Sequence, residues 1–103
     1  MHQIAETWFS PRIASLRMMG ATDEGRAANQ RSIDHLEMFL ASNVLPVPAS
    51  IILDEDGNAG LEFGETLPYR EVTFYKSGKA SVFVRGHGRS QVKASDLMEA
   101  LRF

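Results

Sequence analysis

Two glycine-marked turns, Asp56-Gly57 and Ser77-Gly78, constrain this chain more than any other feature. Each lies between short runs in which apolar and polar residues alternate. That is the signature of a β-hairpin with one buried face and one wet face. A three-residue loop of Lys76, Ser77 and Gly78, with Gly78 in the left-handed conformation, sets Tyr75 opposite Lys79, Phe74 opposite Ala80 and Val72 opposite Val82. Val72, Phe74, Ala80, Val82 and Val84 then share one face. A two-residue loop would set Phe74 opposite Ser81 and mix the faces, so the longer loop is preferred. The same loop at Glu55, Asp56 and Gly57 sets Leu53 opposite Ala59 and Ile51 opposite Leu61, on a face that continues to Phe63. Four strands follow, over 50–53, 59–64, 69–75 and 79–85. Val92 belongs either to a fifth short strand or to the loop before the last helix.

Ahead of Pro46-Val47-Pro48 the pattern is helical. Ser10 is an N-cap, and Pro11 suits the first helical position because its missing N–H would be unpaired there anyway. Ile13, Leu16 and either Met19 or Gly20 recur on one side, with Gly20 as the stop. Trp8 and Phe9 are placed to pack back on Ile13. Ile4 and Trp8 also allow a short helix before Pro11. Thr22-Asp23-Glu24 restarts a helix. Ala28 or Asn29, then Ile33, Leu36, Phe39 and Leu40, form its apolar side, and Arg26, Arg31, Asp34 and Glu37 its wet side. Gly20-Ala21-Thr22 joins the two as an antiparallel hairpin. Ser95 caps a short last helix whose apolar residues are Leu97, Met98 and Leu101.

The expected fold is therefore α+β in a single domain, 1–103. A helical hairpin (about 10–43) and a C-terminal helix (about 95–102) pack on one face of a four-stranded antiparallel meander (about 49–85). Ile51, Leu53, Leu61, Phe63, Val72, Phe74, Val82 and Val84 supply the sheet side of the core. Ile13, Leu16, Ile33, Leu36, Leu40, Leu97 and Leu101 supply the helix side. With 44% hydrophobic and 23% charged residues, 103 residues suffice for one modest core. The absence of cysteine removes disulfides, thiolate metal sites and cysteine nucleophiles. No apolar run approaches membrane-spanning length, and the first residues lack the basic and apolar regions of a signal peptide, so a cytoplasmic location is expected.

Candidate chemistry is sparse. The run from Asp54 to Glu65 resembles an EF-hand calcium loop, with Asp54, Asp56, Asn58 and Glu65 in ligand places. Ala59 stands where that loop needs glycine, and no helices flank it, so a wet hairpin turn is the preferred reading. His2, His35 and His87 are not at ligand spacing from one another. Arg85-Gly86-His87-Gly88-Arg89-Ser90 is glycine-rich and basic, but it fits neither a P-loop nor a dinucleotide fingerprint. It reads as a flexible loop after the fourth strand. No serine sits in a nucleophile elbow, so no enzyme is expected and no cofactor is implied.

Charge is lopsided. Residues 51–69 hold Asp54, Glu55, Asp56, Glu62 and Glu65 with no basic residue. Residues 70–93 hold Arg70, Lys76, Lys79, Arg85, Arg89 and Lys93 against Glu71. The wet side of the sheet collects Glu71, Thr73, Tyr75, Lys79, Ser81, Phe83 and Arg85, joined by Tyr69. Clustered aromatics beside arginine are the composition of a protein-binding hot spot. Tyr69, Tyr75, Lys79, Phe83 and Arg85 are the candidate partner-binding residues, unless Trp8, Phe9 or Phe103 covers this face. Arg70, Lys76, Arg89 and Lys93 are the candidates for an anion or nucleic acid, with Tyr75 and Phe83 stacking bases.

The helix pair, Leu45-Pro46-Val47-Pro48-Ala49-Ser50-Ile51, the acidic turn through Gly60-Leu61-Glu62-Phe63, and the hairpin around Val72-Thr73-Phe74-Tyr75-Lys76-Ser77-Gly78-Lys79-Ala80 together resemble a group of small uncharacterised bacterial, phage and plasmid proteins. The likeness covers about residues 25–85. It implies a mobile-element setting and carries no catalytic motif. The expected function is a non-enzymatic protein-binding module, either a phage- or plasmid-type inhibitor of a bacterial defence system or an antitoxin-like neutraliser. A second copy of the chain is the alternative partner. The other readings are a nucleic-acid-associated regulator using residues 70–93 and a calcium protein using 54–65.

Overall fold

The computed structural model describes residues 8–19 and 27–103. Within them, α1 (Ser10–Met18) and α2 (Gln30–Ser42) precede five strands: β1 (Ser50–Leu53), β2 (Ala59–Phe63), β3 (Arg70–Phe74), β4 (Lys79–Val84) and β5 (Gly88–Lys93). A 3-10 turn, Ala94–Asp96, leads into the four-residue α3 (Leu97–Ala100). The fold is α+β, with the strands in sequential antiparallel order. Among the described residues no helix is long and apolar enough to cross a membrane.

The two glycine turns act as the sequence dictates. The Gly57 N–H donates to the Asp54 carbonyl at 3.0 Å, and the Asp54 N–H donates to Asn58 at 2.8 Å. The Gly78 N–H donates to Tyr75, and the Tyr75 N–H to Lys79, both at 3.0 Å. Gly57 has φ +88° and Gly78 φ +93°, which side chains with a Cβ adopt only under strain. Tyr75 thus closes on Lys79, Phe74 pairs with Ala80 and Val72 with Val82. In the first hairpin Leu53 pairs with Ala59 and Ile51 with Leu61.

The sheet has one strand more than expected. Of the expected flexible loop 85–90, residues 88–90 instead join 91–93 in β5, paired along its length with β4 from Val84↔Gly88 to Lys79↔Lys93. Only the 85–87 segment turns, closed by a His87 N–H bond to the Val84 carbonyl at 2.8 Å. The expected meander boundary near 85 therefore moves to 93. Val92 belongs to the strand.

The helices pack on the face that carries Ile51, Leu61, Phe63, Val72, Phe74, Val82 and Val84. These residues are buried with Ile13, Leu16, Ile33, Leu36, Leu40, Leu97 and Leu101, as the pattern requires. Phe9, Phe39, Ala59 and Ala80 complete the core, while Leu53 is half-buried at its margin. Arg17, in the last turn of α1, clamps the helices together through Glu37 at 2.9 Å, Asp34 at 2.8 Å and Gln30 at 3.1 Å.

Three helix boundaries differ from expectation. α1 starts one residue early, with Phe9 rather than Ser10 at the N-cap and its carbonyl receiving the Ile13 N–H. The Thr22-Asp23-Glu24 start and the 20–22 connector lie outside the described residues. α2 as described begins at Gln30, where Asn29 caps the Ser32 N–H at 3.1 Å. Asn29 is extended rather than helical because its own N–H donates to the Gly57 carbonyl at 2.8 Å. The approach is so close that a Cβ on Gly57 would lie 2.2 Å from the Ala27 carbonyl oxygen. At the other end, Ser95 lies inside the 3-10 turn and caps nothing.

Two buried polar side chains tie the layers. The Ser32 hydroxyl donates to the Phe74 carbonyl at 2.6 Å and accepts the Ala59 N–H at 2.7 Å, pinning α2 to two strands at once. Arg70 is 5% exposed and donates to the carbonyls of Leu101 (2.6 Å), Arg102 (3.0 Å) and Pro68 (3.3 Å). A guanidinium with five N–H donors satisfies the orphan carbonyls that end α3.

Candidate functional site

The other face of the sheet carries a cluster built across four strands. Strand alternation that buries Val72, Phe74, Val82 and Val84 turns Glu71, Ser81 and Phe83 outward. Tyr69, just ahead of β3, receives the Arg85 N–H on its carbonyl at 3.0 Å, which continues the same alternation. The Tyr69 and Phe83 rings lie 6.3 Å apart, tilted by 54°. Arg89, from β5, stands 5.4 Å over the Phe83 ring, and Arg85 stands 6.0 Å over Tyr69. Both arginines are within cation–π range.

Carboxylates fix this arrangement. Glu62 and Glu71 are directly opposed across β2 and β3. Like charges so placed repel. The Tyr69 hydroxyl lies between them, 3.0 Å from Glu62 Oε2 and 2.9 Å from Glu71 Oε2. Arg89 donates to the second Glu71 oxygen at 3.2 Å and to the Ser81 hydroxyl at 3.0 Å. Burial first, then the two carboxylates, hold the Tyr69 phenol protonated well above its ordinary value of 10.0. The phenol thus keeps its one proton to donate to either carboxylate in turn, and Glu71 orients Arg89 over Phe83.

Tyr69, Phe83 and Arg85 therefore meet. Tyr75 and Lys79 sit at the far end of the same hairpin, next to its turn. None of the three residues expected to cover the face does so. Phe9 is in the core, with Trp8 edge-on to it at 5.6 Å. Phe103 packs on Phe63 at 5.3 Å and under Arg70 at 4.6 Å, both on the helix-covered side.

Arg70 is withdrawn from the candidate anion contacts, because its guanidinium is spent on backbone carbonyls beneath α3. Arg89 is bound to Glu71. Lys76 and Lys93 remain exposed. The four calcium candidates do not converge. Asp54 Oδ1 accepts the N–H groups of Asp56 (2.9 Å) and Asn58 (2.8 Å), whereas Glu65 lies beyond the far end of the extended β2. A strand cannot wrap the twelfth ligand back to the first. No group of three or more His, Asp or Glu among the described residues could hold a metal ion.

Glu62 is the site residue that sequence reasoning missed. Its signal was its place between Leu61 and Phe63, which turns it to the outer face opposite Glu71. Compared with protein-family models, with curated proteins and with solved structures, the chain matches none.

Proposed function

We propose that this chain is a non-enzymatic protein-binding module that docks through the outer face of its sheet, acting by occupancy as an inhibitor or an antitoxin-like neutraliser does. The observation that carries this reading is the Tyr69–Phe83 pair, half-buried and bracketed by Arg85 and Arg89. Aromatics and arginine held in fixed rotamers lose little entropy on binding and are the residues that anchor interfaces. The Glu62–Tyr69–Glu71–Arg89 chain of contacts supplies that fixity. A nucleic-acid reading is weakened by the burial of Arg70 and the pairing of Arg89, which remove two of the six cations of residues 70–93.

A photo-crosslinking residue at position 83 of the full chain, expressed in bacterial cells, tests this. One adduct of discrete mass is expected, lost when the crosslinker is moved to Glu65. With the adduct partner in hand, Phe83→Ala weakens binding by about 2 kcal/mol or more, roughly thirtyfold. Equal labelling from positions 83 and 65, or wild-type affinity of Phe83→Ala, overturns the proposal.

A further inference from the structure

The sheet has two edges, and they are finished differently. β1 has four residues, is preceded by Pro46 and Pro48, and lies against α1, whose Arg12 donates to the Ile51 carbonyl at 3.0 Å. β5 has six residues, no proline and no bulge, and all but Val92 are exposed. The Tyr75–Lys79 and Tyr69–Arg85 bonds fix which residues of β4 face β3. Alternation then turns Ala80, Val82 and Val84 toward β5, to bond Val92, Ser90 and Gly88. The N–H and C=O groups of Arg89, Gln91 and Lys93 consequently point away from the sheet, with no partner among the described residues.

Charge and shape at this edge select an occupant. Lys93 is paired directly with Lys79, a repulsive cross-strand contact with no ion pair to relieve it among the described residues. Acid on an adjacent strand would relieve it. On the core side of β5 lies a groove of about 750 Å³ whose floor is Val82, Val84 and Val92, walled by Asp96, Glu99, Ala100 and Arg102 of the C-terminal segment. Side chains of an added strand alternate. Half fall over this groove, where apolar residues meet the valine floor and carboxylates would meet two acids, Asp96 and Glu99, against the single cation Arg102. Half fall on the outer face beside Lys93 and Lys79. A second copy of β5 fits badly, since full antiparallel overlap would set Arg89 of each copy opposite Lys93 of the other.

We infer that the β5 edge receives an extended segment of a partner protein as a sixth strand, one with acidic residues facing outward and apolar residues over the groove. Main-chain bonds to Arg89, Gln91 and Lys93 supply affinity, and the alternation supplies selectivity. The inference rests on the protein-binding reading but uses the edge, not the aromatic face. A crosslink from position 83 reports on the face alone, and the assay below reports on the edge alone.

The probe is a capped, fluorescent octapeptide of alternating glutamate and valine, titrated with the full chain, against a lysine–valine counterpart. The acidic peptide is expected to bind about tenfold tighter or better. Gln91→Pro removes one outward N–H and leaves the bonds to β4 intact, since that N–H is not in the ladder. It should weaken the acidic peptide about tenfold or more while the amides of β4 stay protected from exchange. Lys93→Glu should shift the preference toward the lysine peptide. Equal affinity for both peptides, full binding by Gln91→Pro, or tighter binding of a single-stranded oligonucleotide overturns the inference. So does a concentration-dependent dimer that Gln91→Pro abolishes, which would assign the edge to a second copy.

Discussion

Arg70 and Arg89 stand on neighbouring parts of one sheet and do opposite work. Arg70 points to the helix-covered side, is nearly sealed from water, and gives its donors to the carbonyls that close α3. Arg89 points to the open side and divides its donors between Glu71 and Ser81 while lying over Phe83. The first builds the molecule, because a buried cation must be fully satisfied or it destabilises. The second orders a surface that would otherwise be loose. Residue type does not separate the two roles; the face of the strand does.

The sharpest test of that division pairs Phe74→Ala with Phe83→Ala in thermal melts. Phe74, 1% exposed against Phe39 at 5.7 Å, should cost about 3–5 kcal/mol, most of a small domain's stability. Phe83, half-buried against Tyr69 and Arg89, should cost about 1–2 kcal/mol. Equal losses would mean that the outer face is a second core. Next in size, Arg70→Met keeps the apolar stem but leaves three carbonyls without their donor, and should cost about 2–3 kcal/mol by urea unfolding. Arg89→Met, measured beside it, should fall within the small range of surface ion pairs, about 1 kcal/mol or less.

The smallest effect is a pH dependence. The folded state keeps the Tyr69 proton above 10.0, where the unfolded state releases it. Above that pH the folded state binds more protons, so the stabilisation present at neutral pH declines as pH rises. Urea midpoints should therefore fall less steeply on the alkaline side in Tyr69→Phe than in wild type. An unchanged alkaline limb would show that the phenol is not held between Glu62 and Glu71.

What could be read in the chain was what local geometry decides. A three-residue glycine loop has one register, so Gly57 and Gly78 fixed which side chains share a face, and Phe83 followed from Phe74. β5 was legible only as one of two options at Val92, because Gly-Arg-Ser-Gln-Val-Lys has one apolar residue and no alternation. Its strand character comes from the free edge of β4. Arg70 was misread because its burial depends on α3 ending 31 residues later against its guanidinium. Asn29 was misread as part of the helix's apolar side because it answers to the turn at Gly57 rather than to its own neighbours. In the site, the aromatic pair and Arg85 were visible from alternation, but the Tyr69 bridge between two acids needs the lateral packing of strands.

The sequential strand order has a consequence for how the molecule is assembled in time. Each strand joins the one beside it in the chain, so closing a hairpin sacrifices little chain entropy. The bonds that fasten helices to sheet are of another kind, with Ser32 reaching Phe74 across 42 residues and Arg12 reaching Ile51 across 39. Closing the hairpins therefore costs less chain entropy than docking α1 and α2 on the sheet. Without those two helices the face of Val72, Phe74 and Val82 would be bare, so they are also what keeps the sheet from sticking to other chains.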